Sequence, residues 1–189
     1  MLDADLMKEV QAVLEKSYGP GKWAVTSADG AIYLNDALME SKNVNAGEAQ
    51  EIAGSALERI PHVFRVYTHH QLRRGHVPQD DLSRIMSRSF NWSRSADLEV
   101  ILDPHWTRPA TNSGHDTPFS YDTHIPMIFL GSGIKPGLYY QNVELNDLAP
   151  TLSTLLSVQT PSGSVGRVLH EILPQPNRQG AAASASSHQ

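Results

Sequence analysis

The stretch NSGHDTPFSYDTHIPMIFLG, residues 112–131, decides how the rest of this chain is interpreted. It begins with small and polar residues that surround His115, and His124 follows in a second polar segment. Small residues let a backbone come close to a ligand or an ion, and histidine is the side chain that most often binds metals in proteins. A short apolar run, residues 127–130, follows between a proline and a glycine and is typical of a buried strand. The pattern predicts a functional loop that leads into a strand of the core.

The composition is that of a globular protein large enough for one domain and an appended subdomain. Of the 189 residues, 40% are hydrophobic and 19% are charged, which suits a chain with a buried core. The net charge of −5 gives no reason to expect a nucleic acid or an anionic membrane surface as a partner. No run approaches the roughly 20 apolar residues that span a bilayer. The chain contains no cysteine, so any metal would be bound by His, Asp and Glu.

Residues 1–90 show the element order of a compact α+β subdomain. Helical spacing of apolar residues near the N-terminus predicts a first helix. Two short β-prone runs follow at 23–26 and 31–34, with a hairpin signal between them. Asn45 is expected to cap a second helix, and a strand is predicted at 63–67. This α-β-β-α-β order carries no obvious catalytic chemistry.

A second group of histidines, His69, His70 and His76, follows the third predicted strand. These residues have no acidic neighbours at the spacing of metal ligands. A solvated polar surface is therefore the interpretation that the sequence favours for them.

The remaining part of the chain alternates predicted strands with a long irregular stretch. A strand is predicted at 98–102, the irregular stretch occupies 104–126, and the apolar run at 127–130 is predicted to be the next strand. Loops of such length without structure of their own are usually functional or disordered. A final helix that carries four leucines is expected to begin at Asn146 or Asp147.

The residues alone leave three roles open for His115. It could bind a metal, act as a general base, or make structural hydrogen bonds. For a lone histidine in a loop, the structural role is the commonest of the three. The sequence around His115 gives further evidence on which of the three roles applies.

The sequence reads His-Asp-Thr at 115–117 and Tyr-Asp-Thr-His-Ile-Pro at 121–126, ahead of the apolar run. This arrangement resembles a recurring motif of the alkaline phosphatase superfamily, in the branch of phosphate monoesterases and type I phosphodiesterase/nucleotide pyrophosphatases. That motif reads His-Gly-Ser/Thr, then variable residues, then Tyr-Asp-Ser/Thr-His-Val/Ile-Pro and an apolar strand. Asp116 stands where the family has glycine. We expect it to be tolerated, because Asp is among the less costly residues at positive φ.

The resemblance extends over residues 5–173. Arg-Ser-Ala-Asp-Leu at 94–98 resembles the segment before the family's penultimate core strand, and Asn-Asp-Leu-Ala-Pro-Thr-Leu at 146–152 resembles its closing helix. An α/β fold is implied, with a partial alkaline-phosphatase-like core sheet and an inserted α+β subdomain. The chain would then have three parts: an insert-like α+β subdomain at 1–90, the C-terminal part of the core at 91–173, and a disordered tail at 174–189.

The family's chemistry is phosphoryl transfer at two zinc ions, with a Thr or Ser nucleophile and a phosphoenzyme intermediate. The resemblance assigns His115 as a ligand of the zinc that faces the substrate. It does not assign His124 as a ligand. Residues 121–126 are expected to pack and hydrogen-bond so that the loop is held in place. Asp122 is a candidate for orienting a ligating histidine, as carboxylates commonly do.

Most of the family's other functional residues have no counterpart in this sequence. A two-zinc site needs about six protein ligands. The sequence contains no Asp-His-Gly element, no Asp-x-x-x-His element before the subdomain, and no nucleophile loop. We therefore expect this chain to be the C-terminal part of a zinc-dependent phosphate ester hydrolase, either a phosphomonoesterase or a phosphodiesterase. It would retain one zinc ligand and lack the half that carries the nucleophile. The chain alone is expected to be inactive. The alternative is a non-catalytic truncated α/β module, or a subunit that needs a second chain to complete the site.

The resemblance also implies partners and a location. The substrate would be a small phosphate ester, and the groups that choose between monoesters and diesters would lie mostly in the missing N-terminal half. The strands at 98–102 and 127–130 would expose edges that favour association with that half. A periplasmic or extracellular location is expected from the family, although the chain shows no signal peptide.

Overall fold

The computed structural model describes residues 2–28, 30–106 and 117–174. The chain forms two compact units, the first up to His124 and the second from Ile125 onward. Within the described ranges, none of the helices is both long enough and apolar enough to cross a bilayer.

The first unit combines helices with one antiparallel sheet of four strands, so the predicted mixed α/β class is confirmed. Its helices are α1 (Leu2–Tyr18), α2 (Asp36–Ser41), α3 (Ala46–Leu57), α4 (His69–Arg74), α5 (Asp81–Ser89) and the short α6 (Ser120–Thr123). Its strands are β1 (Ala24–Ala28), β2 (Ala31–Leu34), β3 (Val63–Thr68) and β4 (Leu98–Leu102). The strand order in the sheet is β1-β2-β4-β3.

Local sequence signals explain how these elements begin and turn. The side chain of Asn45 accepts a hydrogen bond from Glu48 N, 3.1 Å away, and caps α3 as predicted. Gly30, in the turn that joins β1 to β2, has a φ of 90°, a left-handed conformation that glycine adopts without strain. The predicted hairpin is therefore confirmed.

The core of the first unit lies between the sheet and helices α1 and α3. The buried residues on each helix recur every four positions, so they share one face. Alternate residues of β4 point toward the same core. The main members of the core are Leu6, Val10 and Leu14 of α1, Ala49, Ala53 and Leu57 of α3, and Leu98, Val100 and Leu102 of β4.

The position of β4 in the sheet differs from the prediction. The residues form a strand, but the strand does not belong to a separate core sheet. It lies between β2 and β3 and pairs antiparallel with both, for example Ile32 with Leu98 and Val66 with Val100. The local pattern revealed the strand but could not reveal its partners, which are distant in the sequence.

Asp97 joins β4 to three neighbouring elements. Its Oδ2 accepts a hydrogen bond from Leu34 N of β2 at 2.8 Å, and its Oδ1 accepts one from Gln50 Nε2 of α3 at 2.8 Å. Its carbonyl oxygen accepts a third from His69 N at the start of α4, 2.9 Å away. The residue before β4 therefore ties together both layers of the unit.

The second unit has little regular structure in its described part. It contains α7 (Leu148–Leu155) and two short 3₁₀ helices, Leu145–Asp147 and His170–Ile172. Its core is small. Leu169, Ile172 and Leu173 are buried, and the partly buried residues packed against them are Met127, Phe129, Ile134, Tyr139, Leu155 and Val168.

The run at 127–130 is not a strand in the described structure, which corrects the prediction. Among the described residues, it makes no main-chain hydrogen bond that would place it in a sheet. Its side chains still alternate, because Met127 and Phe129 pack on the small core while Ile128 and Leu130 point to solvent. The run therefore has the periodicity of a strand, but none of the described strands pairs with it.

Asp147 precedes α7, as predicted, but its carboxylate does not cap that helix. It is buried, and its two oxygens accept hydrogen bonds from Arg167 N at 2.8 Å and from Glu144 N at 3.0 Å. Thr151 Oγ1 donates to the Asp147 carbonyl oxygen at 2.7 Å and accepts from Leu169 N at 2.9 Å. These bonds join α7 to the C-terminal end of the unit. Most of the predicted tail, residues 175–189, lies outside the described residues.

Candidate functional site

The loop that is predicted to bind a metal lies mostly outside the described residues. His115, the predicted zinc ligand, and Asp116, the departure from the family motif, both fall within residues 107–116. The structure describes the chain immediately before and after this segment. Both ends of the loop are held by specific contacts.

The C-terminal end of the loop is held by Asp122. Asp122 Oδ2 accepts hydrogen bonds from Thr117 N at 2.9 Å and from Thr117 Oγ1 at 2.7 Å. The carboxylate lies on α6, a single helical turn, and is half-buried. Thr117 is two residues beyond His115, so their Cα atoms are at most about 7 Å apart. The Asp122 carboxylate therefore holds the first described residue after the undescribed segment.

The N-terminal end of the loop is held by Tyr121, the neighbour of Asp122. The Tyr121 hydroxyl accepts a hydrogen bond from His105 N at 3.0 Å, and the two rings stack with centroids 4.6 Å apart. His105 has a φ of 66°, a left-handed conformation that costs free energy in a non-glycine residue. The contacts with Tyr121 offset that cost. The next residue, Trp106, stacks on His62 with centroids 3.3 Å apart.

These contacts form part of a row of aromatic rings on the first unit. Phe119 lies 5.9 Å from Tyr121 and 5.9 Å from Phe64 of β3, measured between ring centroids. Aromatic pairs of this kind contribute about 0.5–1.5 kcal/mol each. We call Phe64, Phe119, Tyr121 and His105 the aromatic row. Sequence reasoning missed it, although aromatic and histidine residues on both sides of the loop were a usable signal.

Two adjacent residues of the Tyr-Asp-Thr-His-Ile-Pro segment thus hold opposite ends of one loop. This agrees with the expectation that the segment packs and hydrogen-bonds to fix the loop. The described contacts do not include the ring of His115, so the suggestion that Asp122 orients that ring stays a prediction.

His124 takes no part in these contacts. Its main-chain N–H donates to Ser120 O at 3.0 Å and closes α6, and its side chain is exposed. The prediction that His124 is not a metal ligand stays a prediction.

The histidines of α4 are more buried than predicted. His69 Nε2 donates to Trp92 O at 2.9 Å, and the ring lies edge-on to Phe90. The ring of His70 lies so close to Gly47 of α3 that a Cβ there would overlap it. His69 and His70 are therefore structural residues at an internal contact, and His76 is exposed.

Within residues 2–28, 30–106 and 117–174, no group of three or more His, Cys, Asp or Glu side chains is arranged to hold a metal ion. The described residues by themselves therefore do not fit the two-zinc site that the family implies. His115 would have to act together with ligands from elsewhere.

The most perturbed carboxylate of the described structure has a structural role. The pKa of Asp80 is lowered to about 2, chiefly by its hydrogen bond with the Ser83 main chain and then by its bond with Arg65. The Ser83 bond caps α5, and the Arg65 contact is 2.6 Å long and ties α5 to β3. This shift therefore marks a helix cap rather than an acid or base for catalysis.

Comparisons with known proteins extend these observations. Alkaline phosphatase PafA from Elizabethkingia meningoseptica is 29% identical over 171 residues, which are 89% of this chain and 31% of that protein. A protein named calcium-transporting ATPase from Myroides odoratus is 28% identical over 173 residues, 90% of this chain and 31% of its own length. Alkaline phosphatase PhoV from Synechococcus elongatus is 41% identical over 98 residues, 51% of this chain and 18% of its own length. No family model matches the sequence.

Comparison of the structure with solved structures finds the same group of proteins. The crystal structure of wild-type PafA matches 90% of this chain with a TM-score of 0.77 at 28% identity, and the match covers 33% of the PafA chain. This chain therefore spans about a third of the length of the first relatives that it matches. Over most of its length, it is similar in sequence and in structure to the alkaline phosphatases, as the motif predicted.

Proposed function

We propose that this chain forms part of a phosphate ester hydrolase of the alkaline phosphatase type. The observation that carries the proposal is the similarity to PafA, which covers 90% of the chain at a TM-score of 0.77. Because the match covers 33% of PafA, the activity is proposed for an assembly that includes further residues.

In the proposed site, His115 binds one of two zinc ions, and the nucleophile that forms the phosphoenzyme comes from outside this chain. Two zinc ions would neutralise the charge that develops during phosphoryl transfer. The contribution of this chain is a loop with His115 whose two flanking residues, His105 and Thr117, are held by hydrogen bonds. Asp122 holds Thr117 on one side of His115, and Tyr121 holds His105 on the other. A metal ligand must be held within a fraction of an ångström of its working position, and such contacts supply the restraint.

We propose a phosphate monoester as the substrate, because two of the relatives, PafA and PhoV, are named alkaline phosphatases. Phosphodiesterase or nucleotide pyrophosphatase activity is the alternative within the same group. A non-catalytic module is the alternative outside it. The three predict different outcomes in one assay.

The test is a fusion protein in which this chain replaces the matched third of Elizabethkingia PafA. We expect zinc-dependent hydrolysis of p-nitrophenyl phosphate, faster than that of bis(p-nitrophenyl) phosphate. His115→Ala should lower kcat/KM by at least about 100-fold. Losing a residue that only supports a metal ligand lowers activity by up to about 100-fold, and losing the ligand itself should cost at least as much. The matched control, His124→Ala, should leave kcat/KM unchanged. The isolated chain should show no hydrolysis.

Other results would contradict the proposal in distinct ways. A fusion protein that unfolds cooperatively but hydrolyses neither ester would favour the non-catalytic module. Faster hydrolysis of the diester would replace the proposed substrate class. Equal losses in the two histidine variants would mean that His115 has no special role.

A further inference from the structure

Positive charge is concentrated in one short part of a chain whose net charge is −5. Residues 69–94 contain five arginines and two aspartates, a net charge of +3, so the remainder of the chain carries −8. Both aspartates are paired with arginines, since Asp80 Oδ2 lies 2.6 Å from Arg65 Nη1 and Asp81 Oδ1 lies 3.2 Å from Arg84 Nη2. The net charge of the whole chain therefore conceals a local basic surface.

The turn at residues 91–95 presents Trp92 to solvent. Asn91 O accepts hydrogen bonds from Arg94 N at 3.1 Å and from Ser95 N at 2.9 Å, which close the turn. The side chain of Trp92 is nevertheless 71% exposed. The hydrogen bonds of the main chain, rather than packing of the indole, therefore keep this ring at the surface.

Three arginines lie close to Trp92, because α4 and α5 both meet this turn. His69 Nε2, on the first residue of α4, donates to Trp92 O at 2.9 Å, and Arg73 follows His69 by four residues on the same side of the helix. Arg94 lies in the turn itself, and Arg88 lies in the last turn of α5. All three arginines are exposed, and in the described part of the chain neither Arg73 nor Arg94 forms an ion pair. We call Arg73, Arg88, Trp92 and Arg94 the Trp92 patch.

The composition of the Trp92 patch fits an anionic lipid surface. Tryptophan is enriched at the boundary between lipid and water, because its ring is apolar and its N–H is polar. An arginine near an anionic membrane strengthens binding about fivefold. The acidic remainder of the chain opposes this attraction only weakly, since salt screens charges that lie more than about 8–10 Å away. A nucleic acid fits less well, because its binding depends on neutralising many phosphates and three arginines neutralise few.

We propose that the Trp92 patch binds the surface of a membrane that contains anionic lipids. The indole of Trp92 enters the boundary between lipid and water, and the three arginines contact lipid phosphates. The chain lies on the membrane, and no helix crosses it. The inference concerns binding alone and is independent of the proposed hydrolysis.

The test is co-sedimentation of the purified full chain with vesicles made of equal parts of phosphatidylglycerol and phosphatidylcholine. We expect binding to these vesicles that about 0.5 M salt abolishes, and none to vesicles of phosphatidylcholine alone. Arg73→Gln/Arg94→Gln should weaken the binding about 25-fold, fivefold for each arginine. The matched control, Lys8→Gln/Lys22→Gln, removes two exposed positive charges outside the patch and should change the binding less than about twofold.

A second measurement follows the indole itself and uses no charge variant. The structure describes all three tryptophans of the chain: Trp23 is fully buried, Trp106 is 45% exposed and Trp92 is 71% exposed. In Trp106→Phe, vesicles of the same anionic composition whose acyl chains carry bromine should quench the fluorescence of Trp92. Adding Trp92→Phe should remove that quenching. If the arginine variant fails to fold, as checked by circular dichroism, this measurement decides the question.

Distinct results would overturn the proposal. They are the absence of binding to anionic vesicles, equal binding to vesicles with and without phosphatidylglycerol, an equal loss in the lysine control, and fluorescence of Trp92 that bromine does not quench. Tighter binding to a single-stranded oligonucleotide than to the vesicles would replace the membrane with a nucleic acid. Vesicle binding by a chain whose fusion with PafA hydrolyses no phosphate ester would support this inference and contradict the proposed function.

Discussion

Asp122→Ala should release the C-terminal end of the loop that carries His115. The substitution removes the acceptor of two hydrogen bonds, from Thr117 N at 2.9 Å and from Thr117 Oγ1 at 2.7 Å. Hydrogen bonds to a charged group contribute about 1.5–3 kcal/mol each. Asp122 is only half-buried, so we take the lower end and expect about 3 kcal/mol for the two bonds together. The free energy of local opening at Thr117 should fall by that amount.

Hydrogen exchange of the isolated chain measures this change directly. Exchange through local opening speeds up tenfold for each 1.4 kcal/mol lost, so the Thr117 amide should exchange about 100-fold faster in Asp122→Ala. Thr117→Val removes only the hydroxyl bond and should give roughly a tenfold increase. Tyr121→Phe removes the bond from His105 N at the other end of the loop. It should speed exchange at His105 and leave Thr117 unchanged.

The reasoning would be refuted by a Thr117 amide that exchanges at the same rate in Asp122→Ala and in the unmodified chain. Faster exchange at Thr117 in Tyr121→Phe would refute a narrower point, that the two residues hold the two ends separately. A general loss of protection throughout the first unit would show that Asp122 supports the whole unit rather than the loop.

Three further perturbations test the framework around this loop. Asp97→Ala leaves Leu34 N and the buried Gln50 amide without their hydrogen-bond acceptor. The free energy of unfolding, measured in urea, should fall by about 3–5 kcal/mol. A loss below about 1 kcal/mol would contradict this expectation. The pKa of Asp80 is lowered from an ordinary value of 3.8 to about 2 in the folded chain. The unfolded chain therefore binds more protons between these values, and stability should fall as pH drops from about 4 to 2. Asp80→Asn, which keeps an oxygen to cap α5, should flatten that part of the pH profile measured by urea unfolding, and an unchanged profile would argue against the shift. A Cβ at position 166 would overlap the main chain of Asn146 and Asp147. Gly166→Ala should therefore destabilise the second unit by about 1–3 kcal/mol, and the Leu169 amide should exchange faster with deuterium. An unchanged exchange rate would contradict this prediction.

The elements of the first unit could be predicted because their signals are local. Apolar spacing revealed α1 and α3, Asn45 marked the start of a helix, and Gly30 marked a hairpin. Each of these signals acts within a few residues, so no knowledge of distant contacts was needed.

The pairing of strands could not be predicted in the same way. β4 shows the alternation of a strand, but its neighbours β2 and β3 lie far away in the sequence, and the alternation is equally compatible with a different sheet. The run at 127–130 also has the pattern of a strand, yet among the described residues it has no partner. Pattern alone specifies which side chains face one way. It does not supply the second strand.

The candidate site was predicted in part. The motif identified residues 121–126 as a segment that holds the loop, and the bonds of Tyr121 and Asp122 agree with that role. The aromatic row was missed, because Phe64 and Phe119 come together only through the fold. Asp147 was predicted to cap the final helix. Its carboxylate oxygens instead accept hydrogen bonds from Arg167 N and Glu144 N.

The most direct test of the central claim, that His115 binds zinc, is the zinc content of the fusion protein between this chain and PafA. Metal analysis after gel filtration should find about two zinc ions per molecule, as the two-metal site requires. His115→Ala should lose about one of them, and His124→Ala should keep both. Two zinc ions retained in His115→Ala, or an equal loss in both variants, would contradict the claim.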